Sequence, residues 1–73
     1  MGLKLTQKEV LRVLVENEDK WLGLEEIHKL SGIQRRHINS AIKFFMKNDY
    51  VYMPNLEGKV MVSPDGVSAY YSC

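Results

Sequence analysis

Arg35, Arg36, Lys43 and Lys47 lie within residues 34–48, a stretch that holds no acid and so carries four positive charges. Gln34, His37, Asn39 and Ser40 are interleaved with them. These residue types have a common chemistry. Arginine pairs bidentately with guanine O6 and N7, and asparagine or glutamine with adenine N6 and N7. Lysine and serine suit phosphate oxygens. The rest of the chain does not share the charge bias. Residues 1–33 hold five Lys/Arg against six acids, and residues 49–73 hold Lys59 against Asp49, Glu57 and Asp65. A net charge of +1 therefore conceals a positive excess confined to one segment, which is the electrostatic footprint of a polyanion-binding face.

Other chemistries are poorly supplied. His28, His37 and the terminal Cys73 have no paired metal-ligand spacing, so no metal site is expected. The five glycines are scattered and form no phosphate-cradling loop. Glu18-Asp19 and Glu25-Glu26 are accounted for by a turn and a helix start. With a single small core and no convergent polar cluster, neither an enzyme nor a bound cofactor is expected. Tyr50, Tyr52, Tyr70 and Tyr71 offer rings on which single-stranded bases can stack, but alternation more simply makes Tyr50 and Tyr52 half-buried strand residues.

Seventy-three residues make one domain with a small core. No apolar run approaches the ~20 residues that cross a bilayer, and no signal peptide opens the chain. A single cysteine allows no internal disulfide, so a cytoplasmic or nucleoid-associated protein is expected. Met1-Gly2 with Thr6 fits a loose myristoylation pattern, although Thr6 is better explained as a helix cap.

The elements that must hold the basic stretch can be read in order. Helix 1 is predicted over 6–17, with Thr6 as cap, Glu9 completing a capping box and Leu5 stapled on Val10. Val10, Leu11 and Leu14 form its core stripe. Val13 and Val15 widen the apolar arc to roughly 200° at ~100° per residue, which calls for cover from the C-terminal segment or for a dimer seam. Trp21-Leu22-Gly23 reads as a one- or two-bond edge strand with Trp21 sealing the core. Helix 2 spans 24–31, with Leu24, Ile27 and Leu30 inward. Gly32 supplies the left-handed turn. The next helix spans 34–48 on Ile38, Ala41, Ile42 and Phe45, with Phe44 and Met46 on its flanks. Tyr50-Val51-Tyr52-Met53 and Lys59-Val60-Met61-Val62 predict a β-hairpin over 50–62 with a five-residue loop. Ser63-Pro64-Asp65-Gly66 then starts a short helix over 64–71.

This order, and the run Ile27-His28-Lys29-Leu30-Ser31-Gly32-Ile33 followed by Ile38, Ala41 and Ile42, resembles the winged helix-turn-helix family of small bacterial, archaeal and phage DNA-binding regulators. The run from Gly32 to Ile42 is also similar to recognition segments of lambdoid phage repressors, which lack the wing. The resemblance implies an α+β, mostly α, winged helix: a three-helix core, a C-terminal β-hairpin wing and a short final helical turn. It implies that 34–48 is a recognition helix in the major groove of double-stranded DNA. Gln34, Arg35, Arg36, His37, Asn39, Ser40 and Lys43 would then face DNA, with Lys47 near the backbone and Lys59 as the wing's only cation. The sequence departs from the family pattern at His28, where the family carries a small residue.

The implied function is sequence-specific DNA binding by a small transcriptional regulator. It would act as a homodimer on half-sites ~34 Å apart, without a small-molecule effector. Two other functions fit the same pattern: a protein-interaction adaptor on polymerase or replication machinery, and an accessory DNA binder in replication or recombination.

Overall fold

The structure is a computed structural model that describes residues 3–72. Cys73 and the Met1-Gly2 start of the myristoylation pattern lie outside the described residues. Four helices follow one another: α1 (Leu5–Glu16), α2 (Leu24–Ser31), α3 (Arg35–Lys47) and α4 (Pro64–Ser72). None is long and apolar enough to cross a membrane.

Helix α1 is the hub and packs against α2, α3 and α4. Its five apolar residues Val10, Leu11, Val13, Leu14 and Val15 are all buried. The wide arc is thus covered within the chain, and none of that stripe is left for a dimer seam. Phe45, Leu11, Leu14, Ile27 and Ile38 are the largest fully buried side chains, each contributing about 1.5–3 kcal/mol by its removal from water.

The start of α1 differs from expectation. The helix begins one residue early, so Thr6 lies inside the first turn and does not cap it. The Lys4 N–H donates to Gln7 Oε1 at 3.0 Å instead, and Glu9 turns to Arg12. Leu5 is exposed rather than stapled on Val10, and Leu3 packs on the core. Asn17 closes the other end by donating its side-chain amide to the Val13 carbonyl at 2.9 Å.

The wing is the main correction. Among the described residues there is no β-strand, only the isolated antiparallel bridges Leu22↔Val60 and Val51↔Val62. The fold is mostly helical, and the β-hairpin expected over 50–62 is not formed. After Val51, pairing advances to the Tyr52 N–H bond to the Met61 carbonyl, 2.9 Å, and the next backbone bond across, from the Asn55 N–H to the Lys59 carbonyl at 3.0 Å, already closes the loop. Pro54, which has no N–H, follows two residues on and cannot extend a ladder. Asn55 then gathers the chain into a closed loop. Its Oδ1 accepts from the Glu57 and Lys59 N–H groups, each at 2.9 Å. Gly58 adopts φ 77°. The turn chemistry of 54–58 is present, but the strands it was expected to join are not.

Leu22 and Val60 exchange two backbone hydrogen bonds of 2.8 and 2.9 Å, which turns Leu22 into the core. Neighbouring side chains along an extended segment point to opposite faces. Trp21 therefore falls outside, 38% exposed, and does not seal the core.

Helix α4 begins as its residues predict. Ser63 is buried, and its Oγ accepts from the Gly66 N–H at 3.2 Å while donating to the Asp49 carbonyl at 2.7 Å. One hydroxyl thus caps α4 and ties it to the end of α3. That end is a Schellman motif: the Tyr50 N–H reaches the Phe45 carbonyl at 2.8 Å and the Asp49 N–H the Met46 carbonyl at 3.3 Å. Asp49 occupies the left-handed position at φ 60°. Phe44, Phe45 and Tyr50 form a ring cluster with centroids 6.2–6.3 Å apart, which fixes the exit of α3 against the core.

Candidate nucleic-acid interface

The basic segment is positioned by the turn between α2 and α3. Gly32 takes φ 73°, and its N–H closes on the His28 carbonyl at 2.9 Å, the left-handed helix end that glycine adopts without a Cβ penalty. His28 braces the same turn. Its Nδ1 lies 2.7 Å from the Ile33 carbonyl. A carbonyl only accepts, so Nδ1 carries the proton. The half-buried His28 thereby has its partner, and the slot where the resemblance expects a small residue holds a cross-turn strut.

The position of His28 also explains Leu30. At 100° per residue, Leu24, Ser31 and His28 lie on one flank of Ile27 and Leu30 on the other. The first three are half-buried and Leu30 is 54% exposed. Helix α2 is rotated toward His28, which turns Leu30 away from its expected inward position.

Helix α3 buries Ile38, Ala41 and Phe45. Its opposite side is exposed over Arg35, Arg36, His37, Asn39, Ser40, Lys43 and Lys47. Arg36, Ser40, Lys43 and Lys47 follow at intervals of four, three and four, so they share one stripe about 16 Å long at 1.5 Å per residue. Among the described residues no ion pair engages Arg36, Lys43 or Lys47. Arg36 Nε donates to the neutral Gln34 Oε1 at 3.2 Å, and Ser40 Oγ donates to the Arg36 carbonyl at 3.1 Å. Gln34, the first residue of the recognition helix expected over 34–48, stands just before the observed helix as its N-cap.

Two of the expected cations are committed to acids. Arg35 is held by Glu25, with Nε to Oε2 at 2.5 Å and Nη2 to Oε1 at 2.6 Å. These hydrogen bonds hold the Glu25 carboxyl below the usual carboxylate value and the Arg35 guanidinium above its usual one. Lys59 Nζ lies 3.9 Å from Glu26 and 3.8 Å from Glu57, so it turns toward the acidic first turn of α2. No hairpin carries it outward.

No family model, curated protein or solved structure matches the chain. The site is therefore described by its own geometry: an acid-free helical face bounded at one end by Glu25 and Glu26. Glu25 is the residue that sequence reading assigned only to a helix start. Its ten-residue separation from Arg35 follows no helical or strand period, and the packing of α2 on α3 alone brings the two together.

Proposed function

We propose that the chain binds double-stranded DNA through the exposed face of α3 and acts as a small transcriptional regulator. The observation that carries this reading is the uncommitted stripe Arg36, Ser40, Lys43 and Lys47, with Asn39 beside it. A helix of this width enters the major groove, where arginine and asparagine distinguish base pairs and lysine and serine contact phosphate. The tight turn at Gly32, braced by His28, supports a rigid two-helix unit of the helix-turn-helix kind, in which the second helix reads DNA. This reading needs no wing. It is of a binding protein, without catalysis or cofactor, and it extends to a homodimer on an inverted repeat.

Selection from a randomised duplex library at two salt concentrations tests it. Enrichment of a defined sequence, with affinity falling steeply with salt, is expected. Retention of no duplex at low salt would overturn the proposal, and equal retention of every duplex would leave only an accessory DNA binder.

The second reading is a protein-interaction adaptor. Burial of the wide α1 face removes one of its supports. The loop between the two bridges supplies another, because Met53 is 85% exposed and Leu56 fully exposed. A stoichiometric protein partner lost on Met53→Ser with Leu56→Ser, together with no DNA retention, would select it.

A further inference from the structure

We propose that Glu25 is a positioning residue for Arg35, holding its guanidinium side-on so that the outer edge is presented to a guanine. This inference rests on the reading of α3 as the DNA-binding helix and assigns one base preference to it.

The geometry carries the inference. A guanidinium has five N–H donors in a fixed plane. Glu25 occupies Nε–H and one N–H of Nη2. Both N–H groups of Nη1 and the second of Nη2 are left, and among the described residues no acceptor engages Nη1. Those remaining donors form the end-on fork that matches guanine O6 and N7. Contact with a guanine therefore does not require the Glu25–Arg35 pair to open.

The pair also has two physical consequences. Two parallel bonds fix the plane of an otherwise flexible side chain, so less rotamer freedom is lost when the guanine is bound. The carboxylate cancels the charge of Arg35, so the residue gains little from an isolated phosphate and depends on the planar match. Glu25 is itself anchored, standing in the first turn of α2 where the helix dipole favours an acid. Arg36, Lys43 and Lys47 have no such acidic partner and supply the general attraction to the polyanion. The face thus divides into one neutralised, oriented arginine and three bare cations.

Glu25→Gln leaves a side chain of the same length that accepts at only one oxygen. The sequence preferences of wild type, Glu25→Gln, Glu25→Asp and Arg35→Lys are measured by selection on a randomised duplex library, with thermal melting of each protein alongside. Wild type is expected to prefer guanine at one position by roughly tenfold. Glu25→Gln and Arg35→Lys should both lose that preference at the same position while keeping the others. Glu25→Asp, which retains both oxygens, should restore part of it. For Glu25→Gln, affinity for random duplex should rise, because an acid has left the face.

A merely structural Glu25 would lower melting temperature and weaken all duplexes evenly, and that result would overturn the inference. An unchanged preference in Glu25→Gln would overturn it while leaving DNA binding by α3 in place. If wild type retains no duplex at either salt concentration, the DNA reading fails, and the inference fails with it.

Discussion

Gly66 lies so close to Tyr50 that a Cβ built on it would stand 2.1 Å from the Tyr50 carbonyl oxygen and 2.7 Å from Val62 Cγ2. The first turn of α4 is thus seated on the backbone that leaves α3. This glycine is required for close approach and not for its backbone conformation, since its φ is not positive. Gly66→Ala is expected to destabilise the protein by about 2–3 kcal/mol, because the obstructing atom is backbone and cannot rotate away. Chemical denaturation measures the loss. A change within 0.5 kcal/mol would show that α4 can lift off at little cost.

Asp49 offers the opposite test. It holds a left-handed conformation at φ 60° that L side chains adopt at a cost. Asp49→Gly should relieve that strain and stabilise the fold by about 0.5–1 kcal/mol. The Ser63 hydrogen bond goes to the Asp49 backbone carbonyl, so the substitution leaves it in place. Melting at pH 7 checks the sign.

His28 is expected to matter through its Nδ1. His28→Leu keeps bulk but leaves the Ile33 carbonyl without this donor, for a loss of about 1 kcal/mol. His28→Asn places an amide N–H near the same point and should recover part of the loss. The hydrogen-exchange rate of the Gly32 amide, whose partner is the His28 carbonyl, should rise in the first variant and less in the second.

On the proposed DNA reading, the three bare cations set the salt dependence. The slope of log affinity against log salt should be near −2.7 per chain, shallower by about 0.9 in each of Arg36→Ala, Lys43→Ala and Lys47→Ala. Lys59→Ala should leave the slope unchanged, since Lys59 faces Glu26 and Glu57. Titrations at four salt concentrations decide this, and equal effects from all four variants would show that the face extends across the 52–59 loop.

Acid should loosen two ion pairs together. Hydrogen bonding to Arg12 lowers the Glu9 carboxyl and hydrogen bonding to Arg35 lowers that of Glu25, both from 4.5. A depressed carboxyl adds stability above its unfolded value and loses it as pH falls through the folded one. Stability is therefore expected to hold between pH 7 and 5 and to decline below about 4.5. Both groups are largely solvated, so the decline should be small and further reduced by salt. In Glu9→Gln with Glu25→Gln this part of the acid slope should be absent.

The helices were legible because their cues are local. Ser63 before Pro64, Gly32 after Ser31, and the spacing of Ile38, Ala41 and Phe45 each act within one or two turns of chain. The exposed basic stripe was legible for the same reason, since helical period alone places Arg36, Ser40, Lys43 and Lys47 on one side.

Apart from the start of α1, where the local cues of Leu5, Thr6 and Glu9 misplaced the cap, the failures arose where a residue's fate depends on a distant partner. The β-rich runs around Tyr52 and Met61 promised a hairpin, but Pro54, the closed Asn55 loop and the claim of Leu22 on Val60 reduced it to two bridges. Trp21 carried the larger apolar side chain, yet the Leu22–Val60 register chose its neighbour for the core. Arg35 looked the equal of Arg36 from sequence alone. Only the packing of α2 on α3 brought Glu25 to its guanidinium and made the two arginines different. The sequence by itself determined where the helices run and which face of α3 is basic, because neighbouring residues set both. Tertiary structure decided which of those cations remain free, because ion pairing between helices depends on how they pack and no chain period encodes it.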